Sequence, residues 1–132
     1  MKLFLDACFL TYLNTCIQGD RASLDDLFKR ILTEELYTNL LAVDETLYIS
    51  MKKYKVPYEV TMSFFKDIIL PHTQVIALDE SDIENLKTYL EKYSIKPSDA
   101  LHLSSMEKKG IRSIVTEDKV FEKVEEIQRV WL

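Results

Sequence analysis

Ile95 to Phe121, IKPSDALHLSSMEKKGIRSIVTEDKVF, reads as one helix followed by one strand, with an aspartate at the functional end of each. Pro97 punctuates what comes before, and Ser98 is a natural N-cap. The helix is therefore expected to start at Asp99 and run through Met106 to about Lys109, where Gly110 stops it. Ile111 to Thr116 is a short apolar, β-branched run of the kind a buried parallel strand shows, closed by Glu117-Asp118. A helix packed on a sheet runs antiparallel to the strand that follows it. The start of this helix and the end of this strand then share one edge, and Asp99 and Asp118 are expected to be neighbours in space.

Outward from this unit the same alternation repeats. Lys2 to Leu5 reads as a buried strand; Asp6 breaks its apolar run just where Leu10, Leu13 and Ile17 begin to recur at helical spacing. Gln18-Gly19-Asp20 is a turn, and Ser23 is expected to cap a helix striped by Leu24, Leu27, Phe28, Ile31 and Leu32. Leu36 to Leu40 reads as a second strand and Leu41 to Lys55 as a third helix, with Glu45 in its second turn. Tyr58 to Ile69 resumes helical spacing until Pro71. Val75 to Leu78 reads as a third strand, and Ser81 opens a helix carrying Ile83, Leu86, Leu90 and Tyr93. A short helical turn at Phe121 to Val124 precedes an edge strand, Gln128 to Leu132. Strands alternating with helices predict an α/β fold: a single three-layer domain over residues 1–132, with a mostly parallel central sheet of four or five strands flanked by helices.

At 132 residues the chain is long enough to bury a real core. Its apolar runs are too short to span a bilayer and its start lacks the pattern of a secretory signal, so a cytoplasmic protein with no membrane partner is expected. Cys8 and Cys16, more than two turns apart in one predicted helix, are too distant to bridge there and read as reduced, buried thiols. A net charge of −5 argues against a protein that coats nucleic acid through a large basic surface. It leaves room for a local site, because bound divalent cations would cancel most of that charge. Lys52, Lys53, Lys55, Lys108, Lys109, Arg112 and Lys119 are available to meet phosphates.

In open parallel sheets the working edge lies beyond the carboxyl ends of the strands. Asp6, Asp99 and Asp118 map to that edge, with Glu45 about one helical turn from it. Any one of these aspartates reads equally well as a helix cap; their agreement on one edge is what points to chemistry. Four carboxylates brought together must be neutralised by protons, basic partners or cations. Oxygen donors with no nearby histidine or cysteine pair suit Mg²⁺ or Mn²⁺, one or two ions, better than zinc. Helix N-termini behind Asp6 and Asp99 are expected to keep those two ionised.

These residues carry a family resemblance. The chain resembles a PIN domain, most closely the small single-domain toxins of the VapC type, over nearly its whole length. LFLDACFL at Asp6 matches the opening strand and aspartate of that family. YTNLLAVDE at Glu45 matches its strand and glutamate-bearing helix, with Asn39 where a small polar residue is usual. KPSDALHLSSMEKKG at Asp99 and SIVTEDKVF, with Thr116 and Asp118, complete the pattern. Cys8 stands where a hydroxyl or amide is common. The resemblance implies a metal-dependent ribonuclease in which Asp6, Glu45, Asp99 and Asp118 hold Mg²⁺ or Mn²⁺. Thr116, Asn39 and Ser98 would support them, with Thr116 positioning a water or an aspartate side chain. It also implies an RNA substrate, a homodimer and silencing by a VapB-like antitoxin, for which the faces around Phe28, Leu32, Tyr48 and Tyr54 are candidate contacts. His102 is expected to be a packed helix residue with a hydrogen-bonded tip, a ligand role being geometrically open. His72 carries no functional weight.

Three other readings stand beside this one. A PIN nuclease could process RNA, ribosomal RNA among it, without an antitoxin. A PIN-like fold could be kept for binding alone, which the complete set of four acids speaks against. A receiver-type phosphoacceptor domain would use VIALD at Asp79 followed by Lys96-Pro97, but it wants an adjacent acid pair after the first strand where this chain has only Asp6.

Overall fold

The structure, a computed structural model, describes residues 1–15 and 21–132. Five strands form one sheet: β1 (Lys2–Leu5), β2 (Glu35–Asn39), β3 (Thr73–Ile76), β4 (Ser113–Val115) and β5 (Gln128–Val130). Their order is β3-β2-β1-β4-β5 and every pairing is parallel, so the sheet is wholly parallel. The helices are α1 (Ala7–Thr15), α2 (Arg21–Ile31), α3 (Leu40–Tyr54), α4 (Tyr58–Phe64), α5 (Asp82–Lys92) and α6 (Pro97–Lys108). A wider π turn, Phe65–Ile69, and a 3-10 turn, Leu70–His72, extend α4 into β3; a second 3-10 turn, Lys119–Lys123, joins β4 to β5.

Strand alternation makes the three layers. On central β1, Leu3 and Leu5 join one core with Phe9, Leu10, Leu27, Ile31 and Phe65. Phe4, between them, points to the other core, with Tyr37, Leu103, Met106, Ile114 and Phe121. Successive side chains of a strand alternate between faces, so a strand apolar on both must be covered on both. Each such Leu or Phe contributes about 1.5–3 kcal/mol of burial. Helices α1 to α4 pack on one face and α6 on the other, with α5 docked on α6.

Several boundaries differ from the sequence reading. Pro97 does not close the preceding segment but opens α6 at its first position, with Lys96 as the flanking residue, so Ser98 lies inside the first turn and does not cap it. Proline suits that place because its missing N–H would have no helical partner anyway. Likewise α2 already starts at Arg21, so Ser23 is not its cap; Cys16, Ile17 and the turn expected at Gln18-Gly19-Asp20 lie outside the described residues. Strand β3 comes two residues earlier than expected, and Ile83 and Leu90 of α5 face solvent while Asp82 turns inward. Gly110 takes φ +67 after α6, the left-handed turn expected of it.

Candidate active site

Asp6 leaves β1 and is buried; its backbone N–H extends the ladder to Val115 O (3.2 Å). Its Oδ1 accepts the Ala7 N–H at the start of α1 (2.9 Å), and its Oδ2 accepts the Thr116 hydroxyl (2.7 Å). Thr116 follows β4 and in turn accepts the Asp118 N–H (3.0 Å). One hydroxyl thus ties the end of β1 to the end of β4. Cys8 joins the same knot: its Sγ lies 3.0 Å from Thr116 Oγ1 and accepts the Glu117 N–H (3.3 Å). The thiol therefore supplies a polar contact where the hydroxyl of similar sequences would stand. Burial and the charge of Asp6 push its pKa up to about 12, so it stays protonated. It forms no disulfide among the described residues and is only partly buried.

Asn39 ends β2 and caps α3, its Oδ1 accepting the Ala42 N–H (2.9 Å). Its Nδ2 donates to Ser105 Oγ (2.9 Å) and faces His102 Nδ1 (3.2 Å), both on α6. Since Asn39 Oδ1 is held by a donor, Nδ2 must be the group facing His102. Nδ1 of the imidazole then accepts, and the ring proton sits on Nε2, which donates to Glu45 Oε1 (2.8 Å). The same Nε2 lies 3.7 Å from Asp6 Oδ1. The sequence points to the hydrogen-bonded tip of His102 but not to its partners, Glu45 on α3 and Asn39 at the end of β2. The signal was present in DALHL, where His102 falls three positions after Asp99 and so on the same helix face.

A cavity of about 280 Å³ at the carboxyl edge is lined by Asp6, Glu45, Asp99 and Asp118 together with Ser98, Cys8, Tyr12, Lys53, Tyr54 and Lys96. All four expected acids thus share one cavity. Thr116 and Asn39 stand directly behind them. Burial, then the charges of Asp6 and Asp118, push Asp99 up to about 6. Burial also raises Asp6, although His102, Thr116 and Ala7 oppose that rise. Desolvation and mutual repulsion thus work against the ionised forms that the helix N-termini favour, raising both carboxyls, although Asp99 at about 6 is still mostly ionised at neutral pH.

The donor chemistry fits a hard cation: four carboxylates around one cavity, with a repulsion that positive charge would relieve. Among the described residues no three Asp, Glu, His or Cys side chains already stand in ligating geometry. Glu45 is instead turned toward His102. Lys53 and Lys96 are the basic residues on the cavity wall. Lys108, counted among groups free for phosphate, is committed to Asp82 Oδ2 (2.9 Å) and Ala77 O (2.6 Å). Of the candidate contact residues, Phe28 and Leu32 pack against the core, Tyr48 is exposed and Tyr54 lines the cavity. Asp79 holds the turn that starts α5 through the Ser81 N–H and hydroxyl.

A wholly parallel sheet with four acids at its carboxyl edge defines a domain class, and comparison identifies it. The PIN domain profile matches residues 3–127, and the chain belongs to the PIN domain family. No curated relative matches by sequence. Among solved structures the chain is similar to VapC20 of Mycobacterium tuberculosis, described as a sarcin-ricin loop cleaving toxin. That match has a TM-score of 0.74 and 15% identity and covers 92% of this chain and 93% of that one. It is also similar to a chain of VapBC2 from Rickettsia felis, solved on a fragment of its promoter DNA (TM-score 0.73, 19% identity, 99% and 98% coverage). A toxin-antitoxin complex from Klebsiella pneumoniae gives 0.68 and 16%, covering 95% and 94%. At these identities the likeness establishes the fold. No helix among the described residues is long and apolar enough to cross a membrane.

Proposed function

We propose that this chain is a Mg²⁺- or Mn²⁺-dependent endoribonuclease and the toxin of a toxin–antitoxin pair. The observation that carries the reading is the convergence of Asp6, Glu45, Asp99 and Asp118 on one cavity, where burial and then the charges of Asp6 and Asp118 raise Asp99 to about 6. These four would hold one or two ions. The chemistry a divalent cation supplies there is a water acidified for in-line attack on phosphorus and neutralisation of the charge that develops on the phosphate.

The chain's own residues do the rest. Thr116 fixes the rotamer of Asp6 and the start of the Asp118 turn, so the two strand ends keep one spacing. Asp99 enters the cavity from the first turn of α6 and Glu45 from α3. Lys53 and Lys96 can meet phosphates on either side of the cut, and the rings of Tyr12 and Tyr54 offer stacking faces for bases. That placement allows a chain of net charge −5 to bind RNA locally.

Support for a protein partner comes from the neighbours solved as toxin–antitoxin complexes. A homodimer would cover exposed apolar side chains such as Leu40, Val75 and Ile83. The decisive experiment offers the purified protein a pool of structured and single-stranded RNAs with Mg²⁺, with Mn²⁺ and with chelator. Cleavage is expected with either ion and in neither chelator nor Asp99→Asn, which keeps the fold. A variant as active as the parent at matched Mg²⁺ would remove Asp99 from the mechanism.

A further inference from the structure

His102 is 1% exposed, yet its Nε2 reaches two of the acids that line the cavity, Glu45 at 2.8 Å and Asp6 at 3.7 Å. We propose that His102 is a positioning residue for that site, its Nε2–H setting the rotamer of Glu45 and its distance from Asp6 so that the two carboxylates meet a shared divalent cation. This rests on the metal-dependent reading above.

The geometry runs in one direction. Ala42 N–H fixes the amide of Asn39, Asn39 fixes the tautomer of His102, and His102 then has one proton to give, which goes to Glu45 Oε1 at 2.8 Å. The Phe4 ring, 5.2 Å away and tilted by 44°, walls the imidazole in place. Glu45 needs such a holder. Its side chain is 32% exposed and has three rotatable bonds, so holding it in one rotamer costs conformational entropy. A donor that takes Oε1 leaves Oε2 available to a cation. Direct ligation by His102 would require the proton to move to Nδ1, where it would confront the Asn39 NH₂. The structure therefore favours a hydrogen-bonded support over a ligand. Such supports govern metal affinity, and losing one lowers it roughly 10- to 100-fold.

The test measures Mn²⁺ binding without RNA, by the electron paramagnetic resonance signal of the free ion, for the parent, His102→Leu and His102→Gln. Leucine has no donor and is expected to weaken binding by about 10- to 100-fold. Glutamine can accept from Asn39 and donate to Glu45, and should stay within a few-fold of the parent. If leucine binds as the parent does, the positioning role is overturned while the parent's Mn²⁺ binding leaves the nuclease reading standing. If the parent itself binds no Mn²⁺, the nuclease reading fails and takes this role with it. Should His102→Leu not fold, ¹⁵N spectra of the parent decide, since His72 and His102 are its two histidines and His72→Gln assigns them. An Nε2–H tautomer whose resonance moves with Mg²⁺ supports the role; an Nδ1–H tautomer or no response overturns it.

Discussion

Asp99 sits near 6 because burial and the charges of Asp6 and Asp118 act on it together. In an unfolded chain it would titrate at its ordinary value of 3.8. A folded pKa above the unfolded one means the fold binds the proton more tightly. Its contribution to stability is full below about pH 4 and is lost as pH rises through about 6. At pH 7 without divalent ions the ionised group thus opposes folding, by about 1–3 kcal/mol once solvent screening is allowed for. Asp99→Asn should raise the melting temperature of the metal-free protein at pH 7 by several degrees. Repeated at pH 4, the difference should vanish. A variant melting lower than the parent at pH 7, with chelator present, would show that Asp99 is stabilised by its surroundings and that the repulsion is absent.

At the scale of elements, α5 and α6 are clipped together by Asp82, which accepts Ser104 Oγ (2.5 Å), Lys108 Nζ (2.9 Å) and the Asp79 N–H (2.9 Å). Burial pushes this carboxyl up, but those donors outweigh it and hold its pKa below the usual value. The sign is opposite to that of Asp99: the stability Asp82 contributes is present above about pH 4 and lost as pH falls through its lowered folded pKa. Asp82→Asn should cost about 2 kcal/mol at pH 7, measured by urea unfolding, with the gap closing on acidification and RNA cleavage at 25 °C unchanged. An equal loss at pH 7 and pH 3 would refute the charge-assisted clip. The apolar runs LFL and SIV made β1 and β4 legible, and with them Asp6 and Asp118, because a strand buried on both faces leaves an unbroken hydrophobic signal. Strand β3 was offset because it lies at the sheet edge, where Val75 faces solvent and the pattern weakens. Ser98 reads as a cap from sequence but is not one, because proline can begin a helix as readily as end one. Nothing local could show that His102 reaches Glu45, a contact that α3 and α6 make only when both are seated on the sheet.

For the whole molecule, a parallel sheet gathers acids far apart in the chain at one edge, and the packing that buries two cores also holds those acids closer than their charges favour. If this edge cuts RNA with an acidified water on a divalent cation, as proposed, the chemistry of the cut ends reads it directly. Attack by water with departure of the 3′-oxygen leaves a 5′-phosphate and a 3′-hydroxyl. Attack by the substrate's own 2′-hydroxyl leaves a 2′,3′-cyclic phosphate. The expected ends are 5′-phosphates, formed in Mg²⁺ and absent in chelator; cyclic phosphate ends, or cleavage that persists in chelator, would rule out a metal-activated water.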